Sequence, residues 1–173
     1  MSSRGIRLLL SIVAILASAA AGASAGTLSR STIATVERII DGDTLVVRGG
    51  ARVRLVQIDS PESGEECYAA GATRELARLV PPGSRVTLES DPELDQVDRF
   101  GRLLRYVRTT SRNVNVELVR RGAATPWFYD GDRGRYARHL LAAVASARRW
   151  RRGMWGACRV WWTPEGPVST RSR

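Results

Sequence analysis

Between residues 31 and 108 the chain alternates short β-branched runs with glycine- and aspartate-rich breaks. Residues 32–40 are rich in Thr, Ile and Val and predict a strand, and Asp41-Gly42 is a hairpin turn signal. Residues 45–48 continue as a second strand. Gly49-Gly50 turns the chain again into 51–58, where Arg52 and Arg54 alternate with Val53 and Leu55. Two turns in this span predict a three-stranded meander. Residues 67–80 switch to helical spacing, with Tyr68, Ala72, Leu76 and Val80 on one stripe, and Pro81-Pro82-Gly83 ends the pattern. Residues 85–89 and 103–108 read as a fourth and a fifth strand, joined by a polar loop. Asn115 is placed to cap a short helix that Gly122 stops. The longest helix is expected over 135–152, with Tyr136, Leu140, Val144 and Ala147 as its apolar stripe. Five strands, with a helix between the third and fourth, predict an α+β chain: a five-stranded Greek-key β-barrel of the OB type with about three helices. After Trp162 the pattern fades into Pro, Ser, Thr and Arg, so 163–173 is expected to be a disordered tail.

The N-terminus changes the picture of where the protein works. Arg4 and Arg7 precede a short apolar run over 8–20, and Ala23-Ser24-Ala25 supplies small residues for cleavage. This predicts a signal peptide over 1–25 and a secreted or otherwise extracytoplasmic protein. The apolar run is short for a membrane span, and an uncleaved anchor is the alternative. Cleavage would leave a mature chain of about 150 residues, the size of one domain.

The formal net charge is +10, and every basic side chain is arginine. A guanidinium grips phosphate oxygens in pairs. A basic exported protein suits nucleic acid, anionic lipid or acidic polysaccharide, and charge alone does not choose among them. Cys67 and Cys158 fit an oxidising compartment and are expected to form a disulfide, the alternative being two separate buried thiols. His139 is the only histidine, which leaves histidine-dependent nucleases, zinc sites and Ser-His or Cys-His hydrolases without their essential group.

Three stretches carry the chemistry: Asp41-Gly42-Asp43-Thr44, then Arg54 through Asp59-Ser60-Pro61-Glu62, then Asp98-Arg99-Phe100-Gly101-Arg102. They offer carboxylates and arginines, a set suited to a hard cation and a phosphate. Asp43 heads the second strand and Asp59 ends the third, so a meander can bring them together. Strand parity stands against part of this arrangement. Arg54 and Asp59 are five residues apart and would face opposite sides of one regular strand, so a bend must fall between them. Taken singly, Asp41-Gly42-Asp43 is ordinary turn chemistry and each arginine an ordinary surface charge.

Taken together, these stretches resemble the staphylococcal nuclease (thermonuclease) family from about Thr32 to Trp155. The resemblance rests on Asp-Gly-Asp-Thr, Arg-Leu-x-x-x-Asp-x-Pro-Glu and Asp-x-aromatic-Gly-Arg in that order. The run from Asn115 to Ala124 and Gly153-x-Trp155 match as well. It implies an OB-fold domain over 26–162. It also implies an exported Ca²⁺-dependent nuclease that cleaves DNA and RNA with low sequence specificity and leaves 3′-phosphate ends. Asp43, Asp59 and the Ser60 carbonyl would hold Ca²⁺, with Asp41 in support. Arg54 and Arg102 would hold the phosphate, and Glu62 would activate the attacking water. Arg99, Phe100, Trp127, Phe128 and Tyr129 are the candidates for substrate contact. Ser60 stands where the family has threonine and Phe100 where it has tyrosine. DNA and RNA are the expected partners of a monomer, with no membrane partner after cleavage of the signal. The alternatives are a barrel that binds nucleic acid without cutting it, and a cationic protein of cell envelopes.

Overall fold

The computed structural model describes residues 31–64 and 66–173. The signal peptide expected over 1–25 lies outside the described residues. Strands β1 (Ser31–Ile39), β2 (Thr44–Val47), β3 (Arg52–Leu55), β5 (Arg85–Glu89) and β6 (Leu103–Arg108) close into a barrel in the order β1-β2-β3-β6-β5, with β5 pairing back onto β1. β3 and β6 run parallel, while the other barrel pairs are antiparallel. Closure leaves no free sheet edge in the barrel. Val36, Leu45, Val53, Leu55, Val86, Leu88 and Val107 fill its interior. The expected α+β barrel is the observed one.

Helices α1 (Ala69–Leu79), α2 (Val114–Arg121) and α3 (Ala137–Arg149) pack over the barrel through Ala72 and Leu76, Leu118 and Val119, and Leu140 and Val144. Asn113, not Asn115, caps α2, accepting from Val116 N at 3.0 Å. Asn115 is instead wholly buried in the first turn. Its Oδ1 accepts from Val107 N and its Nδ2 donates to Val56 O, both at 2.9 Å, tying helix to barrel. Gly122 ends α2 in the left-handed conformation, as expected. Among the described residues no helix is long and apolar enough to cross a membrane.

The segment after residue 162 differs from the expected disordered tail. A short helix α4 (Met154–Ala157) leads into β8 (Cys158–Trp161), which pairs antiparallel with β9 (Ser169–Ser172). Val168 and Thr170 are buried. Met154, Cys158 and Val168 form a satellite core against Cys67, Tyr68, Trp155 and Trp162. Cys67 and Cys158 are joined in a disulfide that pins β8 to the segment preceding α1. The tail is ordered by these distant anchors, which a local reading of its polar sequence does not register.

Candidate active site

Asp43 sits at the end of the β1–β2 turn, where Asp41 Oδ1 accepts from its backbone N–H at 3.0 Å. A Cβ at Gly42 would lie 2.6 Å from Ser60 Oγ and from Ala72 Cβ. Only glycine lets this turn pack against Ser60 and α1. Register pairs Thr44 with Arg54, which sets Arg54 beside the turn. β3 then stops. Gln57 adopts φ 62°, and Ile58–Asp59 resumes as the short strand β4, paired with β7 (Thr125–Pro126). This left-handed residue supplies the bend that strand parity demands. Such a conformation costs roughly 1–2 kcal/mol for a non-glycine residue. Bonds from Tyr106 OH to Gln57 Oε1, Gln57 Nε2 to Asp132 O and Trp127 N to Gln57 O hold it in place.

The bend brings Arg54 between the two carboxylates. Its Nη1 lies 3.0 Å from Asp43 Oδ2 and its Nη2 2.8 Å from Asp59 Oδ1. Nη1 also donates to Ile58 O at 2.8 Å. Ser60 N donates to Asp43 Oδ2 and Val168 N to Asp59 Oδ2, each at 2.8 Å. Arg54, Asp43, Asp59 and Ser60 are all buried. Burial pushes Asp43 up to about 7 despite the opposing Arg54 charge, with Asp41 and Asp59 adding to the rise. Asp59 is raised too, chiefly by burial, while Arg54 and the Val168 N–H oppose.

Two carboxylates around one guanidinium leave a buried site short of positive charge. The donor set fits Ca²⁺, which takes carboxylate and carbonyl oxygens. A carboxylate oxygen has two acceptor positions, and Asp43 Oδ1 and both Asp59 oxygens each accept from a protein donor at one of them. Among the described residues no three acidic, histidine or cysteine side chains form a cage by themselves. Ca²⁺ would therefore rest on Asp43, Asp59, a backbone carbonyl such as that of Ser60, and water.

A cavity of about 530 Å³ opens beside this cluster, lined by Arg54, Gln57, Arg99, Phe100, Arg102, Trp127 and Tyr129. Arg102 Nε is 2.5 Å from Asp98 Oδ2, and Asp98 Oδ1 accepts from the backbone N–H groups of Phe100 and Arg102. Burial works to raise Asp98, but these bonds to Arg102 and Phe100 outweigh it and hold the carboxyl below its ordinary value. Asp98 thus stays ionised and keeps Arg102 aimed. Phe100 and Tyr129 expose their rings, and Arg99 lies 4.7 Å from the Phe100 centroid. Trp127 meets Tyr129 edge-on at 5.8 Å.

Phe128 departs from the expected substrate contact. Its side chain is fully buried in the core, with Arg133 against its ring at 5.1 Å, so it has no face to offer a base. Glu62 is exposed on the loop after Asp59 and outside the cavity lining; its charge contributes to raising Asp59. Its backbone N–H donates to Glu66 Oε2 at 2.8 Å, and Glu66 Oε1 accepts from Thr170 N at 2.9 Å. Val168, Thr170, Glu66 and Gln57 support the site and were not singled out from sequence. The one signal in the sequence was Val168, the single aliphatic side chain between 163 and 173.

The staphylococcal nuclease homologue family model matches residues 52–157. Over 136 residues the chain is 32% identical to endonuclease YhcR of Bacillus subtilis (strain 168), covering 69% of this chain but 11% of that protein. It is 35% identical over 132 residues to a micrococcal nuclease of Shigella flexneri, covering 69% of this chain and 71% of that protein. A thermonuclease of Staphylococcus intermedius is 35% identical over 102 residues, 54% of this chain and 59% of its own length. The family match spans β3 to α4 and so takes in Arg54, Asp59, Glu62 and Arg102. With that match and the closed barrel agreeing, this chain belongs to the staphylococcal nuclease family of phosphodiester hydrolases.

Proposed function

We propose that this protein is an exported, Ca²⁺-dependent nuclease that hydrolyses DNA and RNA with low sequence specificity and leaves 3′-phosphate ends. The observation that carries this reading is the buried Asp43–Arg54–Asp59 cluster opening onto a cavity that also holds Arg102. Arg54 and Arg102 bind the scissile phosphate and stabilise the charge that builds on its oxygens. Asp43 and Asp59 would hold the cation, which when bound would polarise the phosphate as a Lewis acid. Glu62 takes the proton of the attacking water, and Arg102 assists the departing 5′ oxygen. Cleavage of the P–O5′ bond leaves the phosphate on the 3′ side and a free 5′ hydroxyl.

Low specificity is consistent with the cavity lining. Guanidinium groups grip the backbone without reading bases, and Phe100, Trp127 and Tyr129 offer ring faces that accept any base. Export is supported by the N-terminal signal pattern and by the Cys67–Cys158 disulfide. The test is to incubate the purified protein with denatured DNA, in calcium or in chelator, and to identify the product ends. Calcium-dependent fragments bearing 3′-phosphates are expected; 5′-phosphate ends, or equal cleavage in chelator, would reject the reading.

A further inference from the structure

The outward face of the β8–β9 hairpin breaks a rule of sheet design. Register sets Arg159 directly opposite Arg171, and both side chains are exposed. Like charges in that position destabilise an antiparallel pair. Here they do so in a two-stranded sheet, which has little stability of its own. Trp161 stands on the same face, 53% exposed, with the Arg171 guanidinium 5.9 Å from its ring. Arg159 and Trp161 also line an open cavity of about 660 Å³, together with Arg148, Arg173 and Trp155. Arg148 lies 5.3 Å from the Trp155 ring. No Asp or Glu lines this cavity, and among the described residues none pairs with Arg148, Arg159, Arg171 or Arg173. Some exposed arginines elsewhere, such as Arg48 and Arg74, have no carboxylate partner among the described residues either; this face differs in setting two arginines directly opposite each other beside an exposed Trp161. The hairpin also lies beyond residue 157, where the family match ends.

We propose that this face is a second binding site, separate from the catalytic cavity, for single-stranded nucleic acid. A phosphate seated between Arg159 and Arg171 relieves their repulsion, and a neighbouring base stacks on the exposed Trp161 ring. Cations interleaved with aromatic faces are the general design of strand-tracking surfaces. An anionic membrane is the poorer fit. The hairpin turns Val160, Val168 and Thr170 inward and presents Trp161 as its one large exposed hydrophobic side chain, whereas membrane docking needs a broad apolar face. The disulfide anchors β8, so the site is built before ligand arrives. The choice of nucleic acid rests on the proposed function; the site's role there is to keep a long strand attached while the cavity cuts it.

The experiment measures binding in chelator, so it does not depend on cleavage. A fluorescent oligothymidylate longer than the roughly 16 nucleotides one OB barrel covers is titrated with the oxidised full chain at several salt concentrations. Combining Arg159→Ala with Arg171→Ala should weaken binding about tenfold and lower the salt slope by about 0.7, for the one phosphate the pair holds. Trp161→Ala should cost about tenfold through lost stacking. Arg159→Glu separates binding from folding: it makes the opposed pair attractive, so Tm should hold or rise while affinity falls at least about tenfold. Unchanged affinity and slope in these variants would overturn the proposal. So would vesicles of phosphatidylglycerol losing affinity for the variants while the oligonucleotide keeps its own. If the wild type binds this way yet cuts nothing in calcium, the catalytic reading falls and the binding site stands.

Discussion

Arg54 bears the structural and the chemical demands of the site at once. It pairs with two buried carboxylates, at 3.0 and 2.8 Å, and borders the cavity where a phosphate would sit. Arg54→Ala, Arg102→Ala and Glu62→Ala should each lower kcat/KM by at least about a hundredfold, as expected for loss of one preorganised donor or of the base. Single-turnover cleavage by folded variants measures this, and near-normal rates would remove those residues from the reaction. Asp43 adds a pH dependence. Its folded pKa, raised to about 7, lies above the unfolded value, so protonation favours the folded state. Asp43's contribution to metal-free stability should be fully present below about pH 4 and be lost as pH rises through about 7, where the buried carboxylate ionises without full compensation. Protons then compete with Ca²⁺, so calcium affinity should fall as pH drops below about 7. Melting curves with and without calcium across pH 5–8 check both signs; stabilisation by calcium that grows as pH falls would contradict them. At this scale the sequence named Asp43, Arg54, Asp59 and Arg102 through their motifs. Trp127, Phe128 and Tyr129 were not separable, because three consecutive aromatics cannot all share a face and nothing local says which turns inward; Phe128 does.

At the level of elements, alternation and turn signals were enough for the barrel strands, and two features were not legible. One is the break between β3 and β4. Gln57 carries a left-handed φ without being Gly or Asn, and its conformation is held by Tyr106, Asp132 and Trp127, all distant in sequence. The other is the C-terminal hairpin, whose order comes from the disulfide and from Val168 and Thr170 docking on Asp59 and Glu66. These contacts give the β8–β9 hairpin a part in the site. Val168 N–H orients one carboxylate, and Glu66 links Thr170 to the backbone of Glu62. Truncation after Trp162 should weaken calcium binding severalfold and lower kcat, while the barrel keeps its far-UV circular dichroism. Calcium titration of that variant by calorimetry provides the check; wild-type affinity would mean that the strand is only a cover.

For the whole molecule, the disulfide ties the hairpin to the loop that follows Asp59, across 91 residues of sequence. Replacing Cys67 and Cys158 by serine together should cost roughly 2–5 kcal/mol of stability, read as a drop in the urea midpoint. The loss should fall first on the hairpin, so activity should decline at denaturant concentrations where the barrel persists. With a formal charge of +10, binding to any polynucleotide should weaken steeply with salt.

The proposed catalysis depends on Asp43 and Asp59, drawn together around Arg54, forming a cation site that serves phosphodiester cleavage. A calorimetric calcium titration of the wild type and of Asp43→Asn and Asp59→Asn, paired with cleavage of denatured DNA by the same samples, addresses this dependence at its source. The wild type should bind one calcium, with binding and cleavage lost together in both variants. Calcium binding and cleavage that survive both substitutions would contradict it.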